Sequence, residues 1–160
     1  MQPEVLDWLL EETAPSIRYR TMIELLDMRG SDPLARATCE QIQSSKAVNQ
    51  ILSRMHPEAY WEYNGRGSGV EYVDYYTTHF NLAFLAELGM THADTRIGRA
   101  VDRYLGLQKP DGDFHKHFSC LNGYNLRTLV MLGYRDDPRV QRIIDLLAHT
   151  TRSDGGYLCD

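Results

Sequence analysis

The sequence predicts an all-helical protein built from repeated helical hairpins, and three observations predict it. Apolar residues recur at three- and four-residue spacing, with no strand-like alternation beside them. A short turn, QKPDGDF at 108–114, returns as TRSDGGY at 151–157. The helices around these turns also match. Phe80, Asn81, Leu82, Leu88 and Gly89 correspond to Tyr124, Asn125, Leu126, Leu132 and Gly133, 44 positions on, and Arg96, Ile97, Arg99 and Asp102 to Arg139, Val140, Arg142 and Asp145, 43 positions on. The one residue lost falls in the loop between helices, where deletions cost little.

Each element can be justified in chain order. PSIRYRTMIELLD at 15–27 and the stretch from Asp32, DPLARATCEQI, read as helices with Ser or Asp caps and proline in the first turn. Ile51 and Leu52 close the next helix, and MHPEAYW at 55–61 follows as a fainter copy of the turn, with Met55, Pro57, Glu58 and Trp61 in the places of Gln108, Pro110, Asp111 and Phe114. HFNLAFLAELG and DTRIGRAVDRYL make the next hairpin. In the last one, Leu126, Leu129, Val130 and Leu132 recur with helical spacing. Gly133 ends that helix, because glycine enters the left-handed region without steric cost. Asp137 caps the final helix, Pro138 occupies its first turn, and Val140, Ile143, Ile144 and Leu147 form its apolar stripe. A hairpin cannot bury its apolar face alone, so stacked copies supply the core.

Composition narrows the function. A chain of 160 residues, 42% hydrophobic, has room for a core and one domain. A net charge of -5 with scattered Lys and Arg argues against nucleic acid or an anionic membrane surface. The apolar runs are too short to span a bilayer, and the acidic start MQPEVLDWLL is no basic leader. Three widely spaced cysteines, Cys39, Cys120 and Cys159, make a poor disulfide framework and suit a reducing compartment. The expectation is a cytoplasmic protein.

LQKPDGDF, CLNGYNLRTLVMLGYRDDPRV and SDGGYLCD, in that order and spacing, resemble the squalene cyclase and protein prenyltransferase repeat superfamily. The resemblance covers 61–160 as two clear repeats and 1–60 loosely, as HEAT-like opening hairpins. It implies part of an α/α toroid, open and incomplete, in which one helix of each pair lines a cavity and the other forms the outer wall. In the enzymes of that superfamily the cavity holds an isoprenoid, and the Gln and aromatic of the turn tie neighbouring repeats together. Gln108, Asp111, Gly112, Phe114, Asp154, Gly155 and Tyr157 are therefore expected to act as staples. A closed toroid takes more hairpins than are found here, so the expectation is a piece of a longer protein, with further repeats or a second copy covering the open end.

Departures from the family pattern leave the activity undefined. The Asp-x-Asp-Asp acid motif of alkene-protonating cyclases is absent, and Asp136 and Asp137 are explained by capping. Prenyltransferases place an Asp-x-Cys pair at the start of a cavity helix. Cys120 has such a position, but Phe118 stands where the Asp would be. DFHKHFSC still gathers Asp113, His115, His117 and Cys120, with His79 able to face them from the preceding cavity helix and Cys159 in the equivalent turn one repeat on. These are zinc-competent side chains. The alternative is a polar loop with two solvated histidines and a half-buried thiol.

Aromatic residues crowd one repeat. Tyr75, Tyr76, Phe80 and Tyr124 are the candidates for lining a ligand cavity, and Tyr60, Trp61, Tyr63 and Tyr72 for the core. Thr78 and Asn81 recur as Asn122 and Asn125, a polar pair at the start of both probable cavity helices. Each must bond a loop backbone, a neighbour or a ligand, with the loop the expected partner. Asn81 and Asn125 are kept as ligand candidates. NGRGSG at 64–69 reads as a flexible loop rather than a phosphate cradle, with Arg66 a faint diphosphate candidate. Two functions follow: a cyclase- or prenyltransferase-like domain that binds an isoprenoid or other apolar ligand, or a non-catalytic helical scaffold for protein or lipid.

Overall fold

The structure, a computed structural model, describes residues 3–62, 77–114 and 118–157. After a short lead helix α1 (Pro3–Leu9), whose residues are all at least partly exposed, the chain forms three helical hairpins. The first pairs α2 (Pro15–Arg20) with α3 (Pro33–Gln43), and α2 runs on through a π-helical turn, Thr21–Leu25. A short α4 (Lys46–Leu52) follows and packs on both α3 and α5. The second hairpin is α5 (Thr78–Glu87) with α6 (Thr95–Leu105), and the third is α7 (Ser119–Met131) with α8 (Pro138–His149). α5 and α7 pack side by side and so join the second and third hairpins. Among the described residues there is no strand, only an isolated bridge between Thr151 and Tyr157.

The same local chemistry builds all three hairpins. Each first helix ends at a left-handed residue: Asp27, Gly89 and Gly133, with φ of 50°, 92° and 94°. After α5 and α7 the chain closes with paired bonds, Met90 N–H to the Leu85 carbonyl and Gly89 N–H to that of Ala86, then Tyr134 to Leu129 and Gly133 to Val130. This Schellman arrangement satisfies carbonyls that the helix end would leave open. An aspartate then starts each second helix. Asp32, Asp94 and Asp137 accept from the backbone N–H of Leu34, Arg96 and Arg139 at 2.9, 2.9 and 2.8 Å. The expected side-chain cap at the start of α2 is missing, because Ala14 holds that position and Pro15 begins the helix.

Burial separates the two helices of a hairpin. α6 buries Ile97, Ala100, Val101 and Tyr104, one stripe at helical spacing, and exposes the charged face of Arg96, Arg99, Asp102 and Arg103. α5 is covered on nearly every side by α4, α6 and α7, and of its large apolar side chains only Phe84 is exposed. One apolar core runs through the row, from Ile42 and Val48 through Trp61, Leu85 and Ile97 to Phe114, Leu132 and Ile143. Each such side chain contributes about 1.5–3 kcal/mol when fully buried.

The turns repeat in detail. His56 N–H donates to the Tyr60 carbonyl, Lys109 to Asp113 and Arg152 to Gly156, at 2.8, 2.9 and 2.8 Å. In each turn the residue before that carbonyl has positive φ: Ala59 at 63°, Gly112 at 96° and Gly155 at 81°. The MHPEAYW stretch is thus a third instance of the turn, with alanine in the strained place where the other two have glycine.

Candidate functional site

The recurrent polar residues at the helix starts turn inward to the turns. The Thr78 hydroxyl accepts from the Trp61 N–H at 3.0 Å, and the Asn122 amide oxygen accepts from the Phe114 N–H at 3.2 Å. These are equivalent bonds one repeat apart, so each holds the aromatic of its turn against the next helix. The Asn122 amide also donates to Asp113 at 2.8 Å, and Asp113, fully buried, takes a second partner in the Lys109 ammonium. A buried carboxylate needs such compensation. Asn81 donates to the Thr77 carbonyl of its own helix at 2.9 Å, and Asn125 is buried in α7.

Gln108 does what a staple requires. Its amide donates to the Arg139 carbonyl at 2.8 Å and to the Gly112 carbonyl at 3.2 Å, while its oxygen accepts from the Arg142 guanidinium at 2.9 Å. Turn 108–114 is thereby fastened to α8. Turn 55–61 is fastened to α6 in the same way, by Arg99 donating to the Pro57 carbonyl at 2.7 Å and Arg103 lying 4.4 Å from the Tyr60 ring centre.

Of the ligand candidates, Phe80 and Tyr124 do meet, with ring centres 5.8 Å apart across the α5–α7 contact. Phe84, one helical turn beyond Phe80, lies 6.5 Å from it and is 41% exposed. Glu87 continues that stripe and pairs with Arg20 of α2, at 3.1 Å, and with Arg127 of α7. The two guanidiniums, Arg127 foremost, hold the Glu87 carboxyl below its ordinary pKa. The sequence reading passed over Phe84, Glu87 and Arg127. Phe84 and Glu87 follow Phe80 at i+4 and i+7 on α5, one helix face, whereas Arg127 follows Tyr124 at i+3 on α7 and joins them only through the packing of the two helices. Tyr75 and Tyr76 lie outside the described residues, as do 64–69 with Arg66.

Of the metal candidates, His79, Asp113 and Cys120 lie among the described residues. His79 is buried at the start of α5, its Nδ1 3.2 Å from the Thr77 hydroxyl and its ring 4.2 Å from Phe80 and 6.4 Å from Tyr104. Cys120 is an exposed thiol in the first turn of α7. His115, His117 and Cys159 lie outside the described residues. Among the described residues no three His, Cys, Asp or Glu side chains gather as a metal site would require. A groove of about 480 Å³ opens elsewhere, lined by Thr13 before α2, Ile17 in it, Lys46 and Gln50 of α4, and Leu88.

No protein-family model, curated protein or solved structure matches the chain. No helix among the described residues is long and apolar enough to cross a membrane.

Proposed function

We propose that the chain forms part of an α/α toroid of the squalene cyclase and prenyltransferase kind and holds an isoprenoid or similar apolar chain against α5 and α7. The aromatic stripe carries this reading, with Phe84 exposed, Tyr124 half-buried and Phe80 buried. Phe84 stands open to solvent beside Phe80 and Tyr124, on the two helices that a toroid would turn toward its cavity. Aromatic faces of this kind bury long apolar ligands and stabilise nearby positive charge. Arg20, Glu87 and Arg127 border the stripe with charge and mark where a polar head group would leave it.

The second reading is a scaffold without catalysis, and one observation favours it. Thr78 and Asn122, the recurrent polar groups at the helix starts, are engaged by the turn backbone. They are therefore poor candidates for contacts to a substrate.

Calorimetric titration with farnesol and farnesyl diphosphate tests the first reading. Saturable binding should weaken about tenfold or more in Phe84→Asp, a loss of at least ~1.4 kcal/mol. Saturable binding that is unchanged in Phe84→Asp and Tyr124→Ala would move the site elsewhere. No binding of either probe would leave the scaffold.

A further inference from the structure

Basic residues are divided unevenly between the first and second helices of the two matched hairpins. The second helices, α6 and α8, carry Arg96, Arg99, Arg103, Arg139 and Arg142, whereas α5 and α7 together carry a single Lys or Arg, Arg127. The arginines of α6 and α8 serve the framework. Arg96 and Arg139 pair with the cap aspartates of their own helices, Arg103 pairs with Glu58, and Arg99 and Arg142 donate to the turns. The face that bears Phe84 and Tyr124 thus has one cation of its own.

The charge that borders this face is balanced. Glu87 of α5 joins Arg127 of α7 to Arg20 of α2, and Arg20 also takes the Glu24 carboxylate, one helical turn on, through its Nε at 2.8 Å. Two guanidiniums and two carboxylates sum to zero, whichever partner each of them takes. The four side chains are 40–54% exposed, so the head of a ligand can reach them. A diphosphate is held by cationic groups in excess of their own counter-charges, and here Glu24 and Glu87 would repel it. A hydroxyl suits the same place. It accepts from a guanidinium N–H and donates to a carboxylate oxygen, so it satisfies both partners of an ion pair without adding charge.

On the reading that the stripe holds an apolar chain, on which this rests, we infer that the ligand has an uncharged, hydroxyl-bearing head, the class of the long-chain alcohols and not of their diphosphates, and that Glu87 sets the choice. Glu87 is the residue through which Arg127 and Arg20 are both neutralised. With its charge removed, the same four positions hold two guanidiniums against the Glu24 carboxylate alone, and the border of the stripe becomes positive. Glu87 is thereby a specificity-determining residue: it admits the chain and turns away an anionic head.

Calorimetric titration with farnesol and with farnesyl diphosphate, in the wild type and in Glu87→Gln, tests it at low ionic strength, where exposed charges are least screened. The wild type should bind farnesol about tenfold or more tightly than the diphosphate, and Glu87→Gln should move that ratio about tenfold or more toward the diphosphate. Both probes meet the same protein, so the ratio within a variant cancels any fraction that fails to fold. A wild type that binds the diphosphate as tightly as farnesol, or a ratio that Glu87→Gln leaves in place, would overturn the role of Glu87 and the uncharged head. If that binding still weakens in Phe84→Asp, the stripe reading survives the loss. Binding of neither probe would overturn both.

Discussion

Among the described residues the second hairpin is flanked on both sides, by α4 and by the third hairpin, whereas the third is flanked on one. Their sequences are close copies, so differences in burial between matched positions report the neighbour rather than the residue. Phe114 and Tyr157 are both aromatic, Gly112 and Gly155 both have positive φ, and the turn bonds are the same. What changes is the helix in front. The turn's fold is therefore a local property, written by its Asp-Gly and its backbone bonds, while its contribution to stability comes from what it docks on.

That distinction can be broken or sharpened by paired substitutions. The largest effect is expected at the docked aromatics. Trp61→Ala and Phe114→Ala should each cost about 3–5 kcal/mol by urea denaturation, while Tyr157→Ala, half exposed, should stay within about 0.5 kcal/mol. Equal losses at Phe114 and Tyr157 would mean that the turn, not its docking, carries the energy.

Next comes the polar anchor behind the turn. Asn122→Ala removes partners from the Phe114 N–H and from buried Asp113, so a loss of about 2–4 kcal/mol is expected from groups left without a full complement of bonds. Asn81→Ala removes the bond to the Thr77 carbonyl at the start of its own helix and should cost about 1 kcal/mol.

The smallest effect concerns the helix caps. The neighbouring arginine side chains, Arg96 and Arg139, lower the pKa of Asp94 and Asp137 in the fold. A carboxyl with a lowered folded pKa contributes stability above its unfolded value of about 3.9 and loses it as pH falls through the folded value. Asp137→Asn should therefore cost up to about 1 kcal/mol near neutrality, and the gap from wild type should close as the pH is lowered below about 4. A gap independent of pH would assign the cap to hydrogen bonding alone.

How far the sequence spoke depended on how local the determinant was. Gly133, Asp137 and the Asp-Gly turns announce a cap or a left-handed residue through their own chemistry, and each stands where it was expected. The loop bonding expected of the Thr78 and Asn122 positions also holds, since a polar group at a helix start beside a turn has few other partners. Ala59 was the hidden equivalence. It adopts the left-handed conformation at φ 63° without the glycine that marks the other two turns, so the MHPEAYW turn looked faint. The stripe of Phe84, Glu87 and Arg127 was missed for another reason. It spans α5 and α7, and only their packing turns three ordinary helix residues into one face with Phe80, Tyr124 and Arg20.

The most direct test compares Gly112→Ala with Gly155→Ala by urea denaturation at a protein concentration where the chain is monomeric. Both substitutions carry the same backbone penalty for positive φ, about 1–2 kcal/mol, so their difference isolates docking. With Arg142 blocking the added methyl at one site and open space at the other, Gly112→Ala should be the more destabilising by about 1–3 kcal/mol. Equal losses at the two glycines would contradict the claim that turn 108–114 fastens the second hairpin to the third.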